Sequence, residues 1–475
     1  MDQQDDYAAY ASPPPARLHD PLAVAIGNAS LLGIGYVLLG RRRLAAVTAL
    51  VTVILLVLLV TVAPTVWFEV VVALWWAAMI VHGWRLAGGR RGGVTVGQQR
   101  VATLAITVPV LVVFGLLRFD AATVASTVAV AKQSGNCAQA LTALDGVWLG
   151  DRVADAPSTA DGDQTVEACQ RLQAAKSKLD AGLTGDSTAL TAGYHDLGSV
   201  LANQPGHDKM VDTVLDGFLA GLPTKDPCHT AAVTDWLRAR PATHNALDRS
   251  AAVVPRTAPD ALVACADNLM SGNDWQTAKK RYQQLLDQYP GHALTARAQD
   301  GVTKATQAIE LANVRSLLQG STDTQPAYCK TPAQYSGAPA YNGSGLNRAL
   351  IYGTDEYAKQ LPDGWRATDP ADAVIVVCAG DKDMGGPVQT CPYVPESGAG
   401  VPTDVTFHKI AVPVKVYELR TGKLITDRVV EIGGTSCPEH IDYSGYITDA
   451  GPPSDMYVSS SQPDVQAAFG TVINP

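Results

Sequence analysis

No lysine occurs before Lys132 and no cysteine before Cys137, and both absences cover the same stretch of chain. The first 120 residues hold nine arginines and six acids, which leaves 27 basic against 39 acidic residues behind them, a balance near −12. An acidic rear portion disfavours an anionic-lipid surface there and argues against a nucleic-acid partner. Also missing are CxxC, HExxH and GxSxG, so zinc-protease, thioredoxin-like and serine-hydrolase chemistry have no motif to rest on. No metal and no cofactor is implied. At 475 residues the chain is too long for one ordinary domain, and length suggests about three units.

What is present starts with an acidic, Pro-interrupted tail, MDQQDDYAAYASPPPARLHD, with neither a basic leader nor a small-residue cleavage site. It reads as a disordered tail over 1–20 and not as a cleaved signal peptide. Four apolar stretches then make a transmembrane block over 21–118: Pro21–Gly40, Leu44–Ala63, Val66–Val81 and Val101–Leu117. A run of about 17–25 apolar residues crosses the hydrocarbon core. The first stretch carries Asn28, Ser30 and several glycines, so it is either a full span or a re-entrant segment.

Charge supplies the direction. Arg41, Arg42 and Arg43 fill one connection and Arg85, Arg90, Arg91 and Arg100 another, whereas the connection at Pro64 and Thr65 has no basic residue. The positive-inside rule puts both Arg connections in the cytoplasm. The run Val101–Leu117 then exits, and everything after Arg118 is extracytoplasmic. All eight cysteines lie on that side: Cys137, Cys169, Cys228, Cys265, Cys329, Cys378, Cys391 and Cys437. An even number confined there reads as disulfides in an oxidising compartment. Gly33-x-Gly35-Tyr36-x-x-x-Gly40-Arg41 resembles the Gly–Tyr–Gly–Arg signature of small bacterial two-helix membrane hairpins, with close helix packing as its plainest use. Glu69 and His82, the acid and the histidine within the spans, sit near helix ends and read as snorkelling groups.

Residues 119–320 read as an extracytoplasmic helical-repeat region, with Phe119–Ser134 continuing the last span as a stalk. An internal repeat runs Cys137, Val166-Glu167-Ala168-Cys169, Gln204-Pro205-Gly206-His207, and again Cys228, Leu262-Val263-Ala264-Cys265, Tyr289-Pro290-Gly291-His292. Pairing within copies, Cys137 with Cys169 and Cys228 with Cys265, would staple adjacent helices at about 3–4 kcal/mol each. Gly272–Pro290 resembles a tetratricopeptide repeat, with Trp275, Ala278, Tyr282, Leu286 and Pro290 at its aromatic, small, aromatic, apolar and helix-ending positions. The resemblance implies a helix pair within that stretch, serving either as part of a peptide groove or as a spacer.

Residues 325–475 read as an extracytoplasmic α+β domain with an antiparallel sheet. Strands are expected at Arg348–Tyr352, Ala373–Cys378, Val405–Leu419 and Leu424–Ile432, the last two a hairpin turning at Thr421-Gly422. Pro413 suggests an edge strand or a bulge. Thr354 caps a short helix, Asp455–Val458 is a further strand, and Pro463–Val472 a closing helix. Asp372–Val377 followed by Val414–Leu419 and Thr421-Gly422-Lys423-Leu424 is similar to small periplasmic α+β domains of the curli-secretion lipoprotein type, which implies partner binding and no catalysis. The matching contexts Thr390-Cys391-Pro392 and Ser436-Cys437-Pro438 favour Cys391–Cys437 with Cys329–Cys378 among three possible pairings.

Cys437-Pro438-Glu439-His440 with Asp442 is the one cluster resembling a nucleophile or metal site, set against a plain loop histidine. Tyr335, Tyr341, Tyr352, Tyr357, Tyr393, Tyr443, Tyr446 and Tyr457 either line a glycan- or peptide-binding face or pack the sheet. The whole arrangement resembles multi-pass membrane proteins of actinobacteria, a resemblance that implies a membrane address and no activity. The expectation is a membrane-anchored extracytoplasmic binding or scaffold protein whose partner is an envelope protein or the cell wall. The enzyme alternative is a wall-modifying hydrolase near Cys437 and His440.

Overall fold

A computed structural model describes residues 19–88, 97–319, 325–394, 401–443 and 451–475. Most of the tail read as disordered, together with Arg90, Arg91 and Tyr446, lies outside the described residues. The chain forms two compact units, Met1–Ala258 and Pro259–Pro475.

The first unit begins with two short helices, α1 (Pro21–Ala29) and α2 (Ile34–Leu38). Asp20 caps α1 by accepting from Leu22 N at 3.0 Å. Between the helices Leu31 and Gly33 both take positive φ, which no continuous helix tolerates. The 9-residue and 5-residue pieces rise about 14 Å and 8 Å, well short of a hydrocarbon core of about 30 Å. Three longer apolar helices follow: α3 (Arg42–Thr61), α4 (Val66–Leu86) and α5 (Gly97–Ser134). By length and composition each of the three is able to cross a membrane. Thr65 starts α4 by accepting from Phe68 N.

The continuation Phe119–Ser134 is helical, since α5 runs unbroken for 38 residues despite Pro109. It is not a free stalk. Ala121, Val128 and Ala131 are buried against the helices that follow: α6 (Cys137–Leu144), α7 (Leu149–Ala154), α8 (Ala156–Gly182), α9 (Ser187–Asn203), α10 (Asp208–Ala220) and α11 (Pro227–Ala239). The short α7 packs on both α5 and α3, so this helical layer sits directly on the ends of the apolar helices. Its core is Leu172, Leu179, Leu190, Leu197, Met210 and Leu215, all essentially inaccessible. Gly182 and Gly193 let α8 and α9 approach closely, since a methyl on either would strike Leu190 or Leu179.

The division between units falls inside α12 (Val254–Ser271), within the region read as one set of helical repeats. In the second unit α13 (Trp275–Gln288) and α14 (Thr295–Gln319) form an antiparallel pair. Gly272–Pro290 therefore holds one helix, not two; the pair is completed by α14, whose Gly301 takes the Tyr282 ring. The far end of α14 belongs to the α+β portion. Val314 and Leu318 are buried with Tyr328, Leu350, Val376 and Tyr417, and Arg315 meets Asp369 at 2.9 Å. That packing is why no compact boundary falls at 320–325.

The sheet contains β1 (Ala349–Tyr352), β2 (Ile375–Ala379), β3 (Asp383–Tyr393), β4 (Thr403–Glu418), β5 (Leu424–Ile432) and β6 (Asp455–Tyr457), with α15 (Asp355–Ala358) after β1 and α16 (Gln462–Ile473) closing the chain. It is mixed, because β1 runs parallel to β2 and β6 parallel to β4. The 16-residue β4 pairs with β3 and then β2 along one side, and with β6 and then β5 along the other. Ile375, Val377 and Ala379 face α16, whose Val465 and Phe469 are fully buried, while Val376 and Cys378 face α14. Burial on both faces explains the uninterrupted apolar run of β2.

The edge-strand expectation for Pro413 fails, since β4 is the central strand. Proline is tolerated because it sits where the neighbour changes from β2 to β3, and its carbonyl there accepts from Gly380 N at 2.8 Å. β3 was not expected from the sequence at all. Thr354 precedes α15 without a side-chain cap bond, and Ser461 with Asp464 forms a capping box for α16.

Candidate functional site

Four parts of the chain converge around the broken apolar segment. Gly27 and Gly35 face each other where α1 and α2 fold back, and an added methyl at Gly27 would lie 2.8 Å from Gly35 N. Close contact leaves polar groups of the segment to be satisfied by neighbouring helices. Asn28, fully buried, donates through Nδ2 to the Met79 carbonyl at 3.1 Å. Trp76 Nε1 donates to the Ala29 carbonyl at 3.0 Å, and Thr107 Oγ1 to the Ile26 carbonyl at 2.9 Å. Tyr36 Oη lies 2.9 Å from His82 Nδ1. Tyr36 and His82 are thus paired within the helix group; of the motif's glycines Gly35 and Gly33 lie close to neighbouring atoms, whereas Gly40 meets nothing within 4 Å and takes positive φ.

The arginines mark one end of this group. Arg41 caps α3, Arg42 and Arg43 open it, Arg85 closes α4 and Arg100 opens α5. Arg100 Nε meets buried Asp20 at 2.5 Å, so the start of α1 lies at the same end. At the opposite end Arg118 Nη1 donates to Glu69 Oε1 at 3.1 Å and to the Ala154 carbonyl, with Asp155 Oδ1 at 3.8 Å. Glu69 sits in the first turn of α4, where the helix dipole favours an acid. Between this cluster and the turn at Ala29 and Leu31 lies an apolar cavity of about 300 Å³. Sequence reading noted Glu69 and missed its partner. Arg118 is one residue past the last apolar run, and only α7 folding back reveals what it holds.

Every described cysteine is bonded. Cys137 pairs with Cys169 at a Cα separation of 5.5 Å, Cys329 with Cys378 at 5.8 Å and Cys391 with Cys437 at 5.9 Å. Cys228 and Cys265 are each disulfide-bonded. The order of elements in the internal repeat holds: a cysteine in the first turn of α6 and of α11, another inside α8 and α12, and Pro-Gly-His after α9 and α13. The two loop histidines differ. His207 is buried beside Thr165 and the Gln204 carbonyl, whereas His292 receives Leu294 N. Of the tetratricopeptide-like positions, Ala278 and Tyr282 are buried, Pro290 is exposed, and Leu285 rather than Leu286 fills the core. The Tyr282 hydroxyl donates to Asp267, which also holds Arg297 at 2.5 Å. Burial first, and that carboxylate second, push the phenol well above its usual range.

Cys437 has no thiol to activate, because its sulfur is bound to Cys391. His440 and Asp442 lie exposed in the loop beyond it. Among the described residues no group of three or more His, Cys, Asp or Glu is placed to hold a metal ion. The tyrosines divide among separate cores. Tyr341, Tyr357 and Tyr457 pack on one face of the sheet, Tyr335 and Tyr352 on the other, and Tyr393 at its far end, with Tyr443 exposed. Among the described residues of this set all but Tyr443 take part in these cores. His408 is more organised: Nδ1 faces the Gly385 carbonyl at 2.9 Å and Nε2 faces Asp455 at 2.7 Å. The carbonyl first and the carboxylate second raise its pKa above the ordinary value. It pins β3, β4 and β6 together. No protein-family model, curated protein or solved structure matches the chain.

Proposed function

We propose that the chain is a membrane-anchored binding or scaffold protein, with its disulfide-bonded portion outside the cytoplasm and a partner in the envelope or cell wall. The observation that supports it best is the joint placement of two residue types. Arginines cluster at one end of three apolar helices, and every cysteine follows the last of these helices along the chain and is in a disulfide. In this reading α3, α4 and α5 cross the bilayer. The α1–α2 hairpin enters and leaves on the arginine side, as irregular backbone inside a membrane does when protein surrounds it. The tetratricopeptide-like pair α13–α14 and the α+β portion supply the surface for the partner, and the actinobacterial resemblance fits a wall-facing role.

The test is thiol labelling on intact cells with a membrane-impermeant maleimide, before and after an impermeant reductant. Labelling only after reduction is the expected result. Labelling of unreduced cells, or none until the membrane is opened, refutes the topology. Crosslinking from the surface of the second unit, followed by purification of the full chain, reads the partner. Recovery of an envelope protein or wall fragment supports the scaffold, and turnover of wall fragments by the purified chain refutes it.

A further inference from the structure

The cavity between the apolar helices has a composition that names its occupant. Its walls are Leu56 and Leu59 of α3, Val72 of α4, and Leu111 and Phe114 of α5. At about 300 Å³ it is at the small end of ligand sites. Leu111 and Phe114 line it and are also more than 40% exposed, so the cavity opens at the outer surface of the helices. Arg118 stands at its polar end. Glu69, Asp155 and the Ala154 carbonyl all engage one guanidinium nitrogen, Nη1. Among the described residues neither Nε nor Nη2 makes a hydrogen bond, and the side chain is 45% exposed. A planar fork of N–H donors, the geometry that matches a phosphate, is therefore left open at the mouth of an apolar cavity. The cluster as a whole carries one cation and two carboxylates.

We propose that this cavity is a phospholipid site for a lipid with an amine-bearing head group. One acyl chain fills the apolar walls, the phosphate takes the free edge of Arg118, and the ammonium faces Glu69 and Asp155. A neutral diacylglycerol would leave the fork unpaired. A purely anionic head group would add negative charge to a cluster already at −1. A helix of another protein is too wide for a cavity of this volume and brings no phosphate. The site rests on the reading that α3, α4 and α5 cross a bilayer, and it places the lipid in the outer leaflet, beneath α7.

The full chain, purified in mild detergent, is offered phosphatidylethanolamine, phosphatidylglycerol and diacylglycerol at equal concentrations, and retained lipid is read by native mass spectrometry. One phosphatidylethanolamine is retained at tenfold or greater excess over the others. Ala73→Trp, which fills the cavity, lowers retention at least tenfold, and Val72→Phe does the same should the first variant fail to fold. Arg118→Gln removes the preference over diacylglycerol, and Arg118→Lys restores part of it. Equal retention of the three lipids, preference for phosphatidylglycerol, or indifference to the filling variants overturns the site. Alkaline carbonate extraction of cell membranes separates the two readings. A chain released by carbonate overturns both. A chain that stays in the membrane but retains no phosphatidylethanolamine overturns the lipid site alone.

Discussion

Replacing Gly35 with alanine tests the hairpin of α1 and α2 most directly. The added methyl would overlap the Val24 carbonyl oxygen, well inside van der Waals contact distance, and lie 2.5 Å from Asn28 Oδ1 and 2.8 Å from Asn28 Cγ. Val24 is backbone and fully buried, so no side chain can rotate away to make room. Overpacking of this kind costs about 1–3 kcal/mol. Relief by separating the two helices breaks the bond from Asn28 to Met79, worth about 0.6 kcal/mol inside a membrane. Against this, alanine gains about 1 kcal/mol over glycine in a helix. The net expectation is a loss of about 2 kcal/mol. Gly115 in α5 is the control, because a methyl there meets nothing within 4 Å and keeps only the propensity gain. The two variants should therefore differ by about 3 kcal/mol in opposite directions from the wild type. The assay is thermal loss of helical circular dichroism for the full chain in one detergent at one heating rate. A Gly35→Ala midpoint at or above that of Gly115→Ala would refute the packed hairpin.

Removing the bond between Cys137 and Cys169 with a double serine substitution releases a 32-residue loop in the unfolded chain. The expected loss is about 3.7 kcal/mol on chain-entropy grounds, read from the urea midpoint of the full chain, and an unchanged midpoint would count against a formed bridge. Arg100→Gln leaves buried Asp20 without its partner at a cost of about 1–3 kcal/mol. Adding Asp20→Asn to that variant should recover part of the loss, and a double variant no better than the single would show that the pair carries no coupling. At His408 the folded pKa is raised, so the stability it contributes is complete below the unfolded value near 6.5 and fades as pH rises through the folded one. The gap in unfolding temperature between the wild type and His408→Gln should accordingly be wider at pH 5.5 than at pH 8.5; a gap that widens with pH would reverse the sign of the argument.

The helical character of 119–320 was readable because its signals are local. Asp155, Asp186, Asp226 and Asp274 each cap the helix that follows with a side-chain oxygen, and Gly206 and Gly291 take left-handed backbone in the Pro-Gly-His loops. The strands β2, β4 and β5 announce themselves by runs of β-branched residues. What escaped was set by distant partners. Asp383–Tyr393 contains Gly385-Gly386-Pro387 and gave no strand signal, yet it pairs with the first part of β4, with register shifts on both sides of Pro387 absorbing the misfit. The helix α7 is six residues long and leaves no periodic trace, although it closes the polar end of the cavity. Arg118 looked like a boundary charge, and its two carboxylates lie 49 and 37 positions away along the chain.

The α1–α2 hairpin also fixes an order of assembly. It is synthesised before α4 and α5, but its buried amide and its carbonyls are matched by Met79, Trp76 and Thr107, the last of them 81 residues downstream of its acceptor. Until α4 and α5 have been made, Asn28 and the turn around Leu31 have only hydrocarbon or water to face, and hydrocarbon is the worse choice. If α3, α4 and α5 cross a bilayer as proposed, the hairpin is seated only after α4 and α5, although it is translated before them.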